Sequence, residues 1–424
     1  MRTWTGTDHL PSEVVGLRLS VSAATVARVE NIEDEATAFA ALVVQHLSEL
    51  GENDVEYHQD EFALHSGDVI FNLHNIFHET RELDPVERDA RIARYVDAMR
   101  NAFGPDQDWA SARSALRPVL RPSSFGMDVP EPDMRPVARP AFPFVDEMVA
   151  VDMPDARTIV SYATLERWGI TADEVFAAAR ENLGAMAGFT GIKEPGILHF
   201  VDDGDGYCAS WPLVPGWLAG SGDGVEPAVA FMPDVDTLII APSGTELEHI
   251  FEMVEEQYRD AVRPISPQGY TVDVGGAVIP LDQSPAHRHL PAVQRARCGL
   301  AVTEYDAQAQ LLNEIVERDF EFTPYGIEPA YVASVMYVHG DNGPYTMTVW
   351  GEGVDYLLPE ADYVAFCRND ENGELERLFE VPFPAVADFA GLTPIPDLLP
   401  RRYEIREWPD AETLAQLRAA AVSP

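Results

Sequence analysis

The sequence has almost no lysine and few cysteines. Lys193 is the only lysine, so arginine supplies nearly all of the positive charge. The three cysteines stand far apart, at positions 208, 298 and 367, and no two of them form a Cys-x-x-Cys pair. This spacing argues against a disulfide framework and against a zinc-binding cysteine motif. We therefore expect three small, buried thiols in a reducing compartment.

Long apolar segments are also absent. No run of the sequence approaches the ~18 uninterrupted apolar residues that a helix needs to cross a bilayer. Residues 1–16 include Asp8, His9 and Glu13 and contain no apolar run of signal-peptide length. The sequence therefore predicts a cytoplasmic protein without a membrane partner.

Positive charge is scarce in comparison with negative charge. The chain has 71 acidic and 29 basic residues, a net charge of −42, and the acidic residues are spread along its length. Such a field repels phosphate backbones and anionic lipid surfaces, so we predict no nucleic-acid partner. The acidity is typical of a surface that keeps a protein soluble, and a DNA-mimicking surface is the alternative.

The pattern of apolar residues predicts an α+β fold. Apolar residues at helical spacing and capping residues indicate helices at 33–50, 84–103, 171–188, 245–261 and 303–318. Short apolar and β-branched runs indicate strands between them, at 55–58, 62–65, 68–73, 145–151, 157–162, 197–201, 207–211, 236–241, 331–339, 345–350 and 363–367.

Similar elements recur in the same order along the chain. A strand that ends in a tryptophan, Trp211 or Trp350, precedes a Pro-x-x-Asp sequence and a further strand in both later parts of the chain. We therefore predict tandem αβββα-type units, with antiparallel meander sheets covered by helices. The alternative is that αβββ runs recur by chance. The predicted domains are an N-terminal unit at 1–117, a Pro-rich connector at 118–143, a second unit at 144–289 and a C-terminal unit at 290–424.

An ordered set of segments resembles the YtpQ-like family, a bacterial family of unknown function. These segments span about residues 37–275 and read VIFNLHN (69–75), RPVLRPSSF (117–125), RWG (167–169), ENL (181–183), DGYCAS (205–210) and AVAFMPDVDTLII (228–240). The sequence departs from the family at Cys208, where relatives tend to carry aspartate, and in its long C-terminal extension. The resemblance implies a cytosolic α+β fold and no particular reaction.

Polar residues within these segments are the candidate binding residues. They are Arg117, Arg121, Ser124, Asn182, Ser210 and Asp236. Arg121 is of most interest because it enters the Pro-rich segment within a group of arginines between positions 81 and 139. Such a group can meet an acidic partner or can pair internally with carboxylates, and we favour internal pairing for most of its members.

Two histidine pairs are candidate metal ligands. His74 and His78 stand four residues apart with Glu79 beside them, so both imidazoles would share one face of a helix. His287 and His289 would share one face of a strand. The alternatives are a strand that ends in a turn for the first pair and a surface loop for the second. We favour these alternatives and predict no metal and no other cofactor.

The sequence contains no motif with a defined catalytic mechanism. The acidic turn at 202–206 has the composition of half a calcium loop, but strands are predicted on both sides, which indicates a hairpin turn. We therefore predict a non-enzymatic, cytosolic, protein-binding or regulatory module. One alternative is a metal-dependent hydrolase that uses His74, His78 and Glu79. Another is an acidic chaperone or immunity-type protein that binds a basic client.

Overall fold

A computed structural model describes most of the chain. The described residues are 23–59, 62–66, 69–81, 83–102, 108–129, 131–153, 157–187, 196–202, 206–221, 227–242, 246–318, 326–341, 343–370 and 375–422. The chain divides into two compact units, which comprise residues 1–106 with 154–156, and residues 107–153 with 157–424. Within the described ranges, no helix combines the length and the apolar composition that a bilayer crossing requires.

The smaller unit has a three-stranded antiparallel meander with helices on both sides of it in the sequence. Its elements are α1 (Ala23–Glu49), β1 (Glu56–His58), β2 (Ala63–Ser66), β3 (Val69–Asn72), α2 (His74–Thr80) and α3 (Pro85–Ala102). The predicted start of α3 is confirmed, because the Asp84 carboxylate accepts hydrogen bonds from the amides of Val86 and Glu87. The apolar stripe of α1 is buried at Val43 and Leu47.

The larger unit begins with a four-stranded antiparallel sheet. Its elements are α4 (Trp109–Ala112), a 3-10 helix (Arg113–Ala115), β4 (Leu116–Pro122), β5 (Ala138–Phe142), β6 (Val145–Asp152), β7 (Arg157–Ile159), α5 (Tyr162–Trp168) and α6 (Ala172–Met186). Strand β6 pairs with the other three strands. Residues 118–143, predicted as a Pro-rich connector, thus contain most of β4 and all of β5. The predicted capping box of Thr171 and Glu174 opens α6.

A five-stranded antiparallel sheet follows, with the order β12-β11-β9-β10-β8. Its elements are β8 (Leu198–Val201), a 3-10 helix (Cys208–Leu213), α7 (Trp217–Gly220), β9 (Ala228–Phe231), β10 (Thr237–Pro242), α8 (Leu247–Asp260), β11 (Gly269–Val272), β12 (Val278–Pro280) and a 3-10 helix (Leu281–Gln283). The strand predicted at 207–211 is wrong. Tyr207 has a positive φ of 51°, which turns the chain into a 3-10 helix instead of continuing an extended strand.

The C-terminal part contains two further sheets. Its elements are α9 (Pro291–Arg318), β13 (Tyr331–Val332), β14 (Met336–Gly340), β15 (Gly343–Gly351), β16 (Tyr356–Pro359), β17 (Tyr363–Asn369), β18 (Leu375–Pro382), α10 (Phe383–Ala390), β19 (Arg402–Ile405) and α11 (Ala411–Ala419). Strands β14-β15-β17-β18 form one sheet and β13-β16-β19 form the other. The pairs β15–β17 and β13–β16 are parallel, and the other pairs are antiparallel.

The α+β class is confirmed, but the sheets do not share one topology. The meander of the smaller unit is entirely antiparallel, whereas β17, which follows the second Pro-x-x-Asp sequence, runs parallel to β15, the strand that contains Trp350. The first Pro-x-x-Asp sequence instead lies between the antiparallel strands β9 and β10. The tandem αβββα arrangement therefore stays a prediction that the sheet orders do not support.

Candidate functional site

A small, open pocket lies in the larger unit. Strand β4 supplies one wall, the 3-10 helix Cys208–Leu213 supplies another, and the turn that leads into β10 supplies a third. The wall has an apolar part and a polar part, and the polar side chains are Arg121, Arg157, Asp202, Tyr207, Ser210 and Asp236.

Arg121 is the cation of this pocket that has no carboxylate partner. Its side chain is half-buried, and its Nη1 donates a hydrogen bond to the carbonyl oxygen of Leu120 at 2.7 Å. The guanidinium lies 5.7 Å from the ring centre of Phe125, and no carboxylate of the described residues lies within 4 Å of it. Most of its five N–H donors therefore remain available to a ligand.

The electrostatics of the pocket compensate this positive charge only in part, because the nearby negative charge of Asp236 is outweighed by burial and by two other arginines. Burial, together with the positive charges of Arg263 and Arg157, lowers the pKa of Arg121 to about 10. A guanidinium with so low a pKa is still a cation at neutral pH, and its charged form is poorly stabilised by its surroundings. An anion placed beside it would remove this deficit.

The two neighbouring arginines do have acidic partners. The Nη2 of Arg263 lies 2.7 Å from the Oδ2 of Asp236. The Nε of Arg157 lies 3.9 Å from the Oδ1 of Asp152, and its guanidinium lies over the ring of Tyr207 at 4.4 Å. These pairs fix the walls of the pocket on either side of Arg121.

The Asp202 carboxylate in the pocket wall holds the local backbone. It accepts hydrogen bonds from the amide of Gly206 at 2.9 Å and from the amide of Cys208 at 3.2 Å. The Asp202 amide in turn donates to the carbonyl oxygen of Asp236, which ties this turn to the entry of β10. The predicted hairpin turn is therefore wrong on its C-terminal side, because Asp202 holds these amides in a helical turn where the second strand was expected.

The Ser210 hydroxyl of the pocket and the thiol of Cys208, which is close to it in the chain but does not line the pocket, lack the setting of a nucleophile. Ser210 is buried, and no histidine among the described residues forms a hydrogen bond with it. Burial and the nearby charge of Asp202 raise the pKa of the Cys208 thiol to about 12, so the thiolate is not populated at neutral pH. The Ser210 hydroxyl can donate a hydrogen bond to a ligand, but the geometry activates neither group.

Three of the six candidate binding residues meet in this pocket. Arg121, Ser210 and Asp236 come from three separate segments, each quoted above for the family resemblance. The other three lie elsewhere and hold the fold. Arg117 donates to the carbonyl oxygens of Ser114 and Leu116, Asn182 donates to those of Arg113 and Leu116, and Ser124 donates to the Glu304 carboxylate.

The first histidine pair lies in a helix. A strand precedes it, as expected, but His74 and His78 belong to α2 and not to the turn that we favoured. Glu79 is exposed and forms an ion pair with Arg91 at 2.7 Å, and the side chains of His74 and His78 lie outside what the structure describes. His287 and His289 lie in a turn. Across the described residues, no three His, Cys, Asp or Glu side chains are grouped so that they could hold a metal ion.

The sequence did not single out Arg157, Tyr207 and Arg263 as parts of the site. They lie far apart in the chain and have no common spacing. The amide of Val235 donates a hydrogen bond to the carbonyl oxygen of Arg263 and so holds Arg263 near the pocket. No local sequence pattern predicts this contact.

Comparisons with known proteins give the chain no established relative. No family model, no curated protein and no solved structure matches it. The YtpQ-like resemblance therefore stays a prediction, and the case for a function depends on the geometry of the pocket.

Proposed function

We propose that this protein is a non-enzymatic binding protein and that the Arg121 pocket receives an anionic group of its protein partner. The observation that carries the proposal is the guanidinium of Arg121, which is half-buried, faces the pocket and has no carboxylate within 4 Å among the described residues. Leaving such a charge uncompensated is costly, and a bound anion offsets that cost.

A carboxylate is the anion that best suits this pocket. A guanidinium binds a carboxylate through two parallel N–H···O bonds. Asp202 and Asp236 line the same pocket, so a phosphate dianion would meet about twice the repulsion that a carboxylate monoanion meets. The pocket is open, which suits a carboxylate that protrudes from a larger partner, such as a side chain or a chain terminus of a protein.

A catalytic role has less support. The hydrolase alternative needs a metal centre on α2, where Glu79 is already engaged by Arg91. The pocket itself offers Ser210, which forms no hydrogen bond with a histidine of the described residues, and the nearby thiol of Cys208 has a raised pKa.

The proposal is tested by the binding of a small carboxylate to the purified protein. Trifluoroacetate is a suitable probe because its fluorine-19 line broadens on binding. We expect broadening with the unmodified protein and a loss of at least tenfold in affinity in Arg121→Gln, since one charge-assisted, bidentate contact contributes about 1.5–3 kcal/mol. Arg113→Gln is the matched control, because Arg113 is an exposed arginine that pairs with Glu181.

The outcome is decisive in both directions. Equal broadening with Arg121→Gln and with the unmodified protein would overturn the proposal, because the anion would then bind elsewhere. A protein partner is tested next, by capture from host lysate with the same three proteins. A partner retained by the unmodified protein and by Arg113→Gln, released by free carboxylate and absent with Arg121→Gln would support a protein ligand at this pocket.

A further inference from the structure

Strand β4 is the outer strand of its sheet, and its outer backbone edge borders the pocket. It pairs with β6, and just beyond this ladder the Ser123 amide donates to the carbonyl oxygen of Phe144. Because bonded pairs alternate along an antiparallel ladder, the odd-numbered residues of β4 bond to β6 and the even-numbered residues direct their backbone groups outward. The carbonyl oxygen of Leu120 follows this rule, since its donor is the side chain of Arg121 and not an amide of β6.

Prolines occupy the outward positions on both sides of Leu120. Pro118 and Pro122 have no amide hydrogen, so Leu120 supplies the amide donor between them on this edge. No acceptor among the described residues bonds to that amide. Leu120 is 1% exposed, and a buried amide without a partner is rare in folded proteins. The edge therefore presents a donor that a ligand in the pocket can use.

The two prolines limit what can bind along this edge. A partner strand that paired with β4 over several residues would find no donor at Pro118 or at Pro122. A ligand can therefore form one complete backbone bridge, at Leu120, before it ends or turns away. This limit favours the end of a protein chain over the middle of an extended strand.

The groups around Leu120 match the last residue of a protein chain. In an antiparallel bridge, two residues each donate an amide hydrogen to the carbonyl oxygen of the other. The amide of a last residue can donate to the Leu120 carbonyl oxygen, which keeps a second lone pair beside the Arg121 donor. Its carboxylate has one oxygen for the Leu120 amide and another for the Arg121 guanidinium. An aspartate or glutamate side chain has no amide on the carbon next to its carboxylate and can form only half of this bridge.

We propose that the pocket binds the C-terminal residue of a partner protein through a single backbone bridge to Leu120, with the second carboxylate oxygen on Arg121. The side chain of that residue lies against the apolar part of the wall, which includes Ala209, Val235 and Ile265. This inference rests on the proposed function, because it concerns the same pocket and the same guanidinium.

The experiment compares the fluorine-19 line widths of four probes with the purified protein. N-trifluoroacetyl-L-alanine has the amide and the carboxylate of a chain end, and its N-methyl derivative lacks the amide hydrogen. Its carboxamide lacks the charge, and trifluorobutanoate has a carboxylate without a neighbouring amide, as a side chain has. We expect N-trifluoroacetyl-L-alanine to bind about fivefold more tightly than the N-methyl derivative and trifluorobutanoate, and at least tenfold more tightly than the carboxamide.

Leu120→Pro tests the same bridge from the side of the protein. It removes the outward amide hydrogen at a position between two prolines and leaves the bonds between β4 and β6 in place. Leu120→Val is the matched control, because it also shortens the buried side chain but keeps the amide. We expect Leu120→Pro to bind N-trifluoroacetyl-L-alanine about fivefold less tightly than Leu120→Val does. Circular dichroism shows whether each variant is folded, and the comparison of probes decides if Leu120→Pro is not.

Each outcome separates this inference from the proposed function. Weaker binding after N-methylation of the probe, and in Leu120→Pro relative to Leu120→Val, would support a chain end. Equal affinities for N-trifluoroacetyl-L-alanine, its N-methyl derivative and trifluorobutanoate would overturn the inference, and if Arg121→Gln still weakened all three, the proposed function would stand. Carboxylate binding that does not depend on Arg121, or no binding of any carboxylate probe, would overturn both.

Discussion

Arg402 is a buried arginine that is held by uncharged oxygens. Its side chain is fully buried, and its Nε donates to the Oε1 of Gln308 at 2.5 Å. Its Nη1 donates to the carbonyl oxygens of Ala333 and Leu357 at 2.7 and 2.9 Å, and its Nη2 donates to that of Tyr305 at 3.2 Å. Burial lowers the pKa of Arg402 to about 10, which leaves it a cation at neutral pH. One side chain thus joins α9, β16 and β19.

Replacement of Arg402 should destabilise the protein more than replacement of its neighbour. We expect Arg402→Ala to lower the free energy of unfolding by about 3–5 kcal/mol, because four buried acceptors lose their donor. Arg402→Lys should lower the free energy of unfolding by a smaller amount than Arg402→Ala, since an ammonium group cannot reach all four acceptors. Arg401→Ala, at an exposed position, should change the free energy of unfolding by less than about 0.5 kcal/mol. Urea unfolding measures all three, and similar losses at positions 401 and 402 would refute the role assigned to Arg402.

Several arginines between positions 81 and 139 show the internal pairing that the sequence suggested. Arg81 pairs with Glu35, Arg91 with Glu79 and Arg113 with Glu181, and Arg139 shares the buried carboxylate of Glu147 with Arg180. The strongly acidic composition makes such pairing the expected outcome for any arginine. Arg121 differs because its strand turns it towards a pocket, and only the tertiary structure could reveal this difference.

At the scale of elements, α9 is tied to the C-terminal sheet by one charged network. Arg297 on α9 donates two hydrogen bonds to the Asp362 carboxylate, at 2.9 and 2.8 Å. Asp362 also accepts from the amide and the hydroxyl of Thr346 on β15, and its own amide donates to that hydroxyl. Burial alone would raise the pKa of Asp362, but the hydrogen bonds from Arg297 and Thr346 outweigh it and lower the pKa.

Removal of this carboxylate should loosen the attachment of the helix. We expect Asp362→Ala to lower the free energy of unfolding at pH 7 by about 3–4 kcal/mol, because the half-buried Arg297 loses its counter-ion. Asp355→Ala is the control, since Asp355 is an exposed aspartate that lies 3.4 Å from Arg406. Chemical unfolding of both variants checks the expectation, which fails if the two variants are equally stable.

The sequence predicted elements better than it predicted their connections. The helices α3, α6 and α8 were recognisable because apolar spacing and capping residues act within a few positions, whereas α9 begins at Pro291, well before the predicted start at residue 303. The strand expected at 207–211 failed because the Asp202 carboxylate captures the amides of Gly206 and Cys208, a contact that strand propensity does not encode. The parallel pairing of β15 with β17 depends on long-range packing, so the similar order of elements suggested a repeat that the sheets do not show.

For the protein as a whole, two buried carboxyl groups, those of Asp146 and Glu304, should make stability depend on pH in an unusual direction. The Ser123 hydroxyl donates to Asp146, the Ser124 amide and hydroxyl donate to Glu304, and no Arg, Lys or His nitrogen of the described residues lies within 4 Å of either carboxyl group. The folded-state pKa values of about 6 and about 7 lie above the ordinary values of 3.8 and 4.5, so the folded protein binds more protons than the unfolded chain between them. Stability therefore falls as the pH rises from about 4 to about 7. A shift of this size corresponds to about 3 kcal/mol for each group.

Glu304→Gln should remove the larger part of this dependence. We expect the variant to match the unmodified protein at pH 5 and to be more stable by about 2 kcal/mol at pH 8, where the unmodified protein must bury a charge. Thermal unfolding across this pH range provides the measurement. Glu314→Gln, at an exposed position on the same helix, should leave the pH profile unchanged, and a profile that Glu304→Gln also leaves unchanged would contradict the assignment.

The hydrogen bonds of Arg402 also set an order of events during protein synthesis. Its partners Tyr305, Gln308, Ala333 and Leu357 all precede it in the chain, so a ribosome makes every acceptor before it makes the donor. Domains fold largely as they emerge, from the N-terminal side onward. The carbonyl oxygens that will surround Arg402 must therefore remain hydrated during translation, and α9 can complete its packing against β16 only after β19 has left the ribosome.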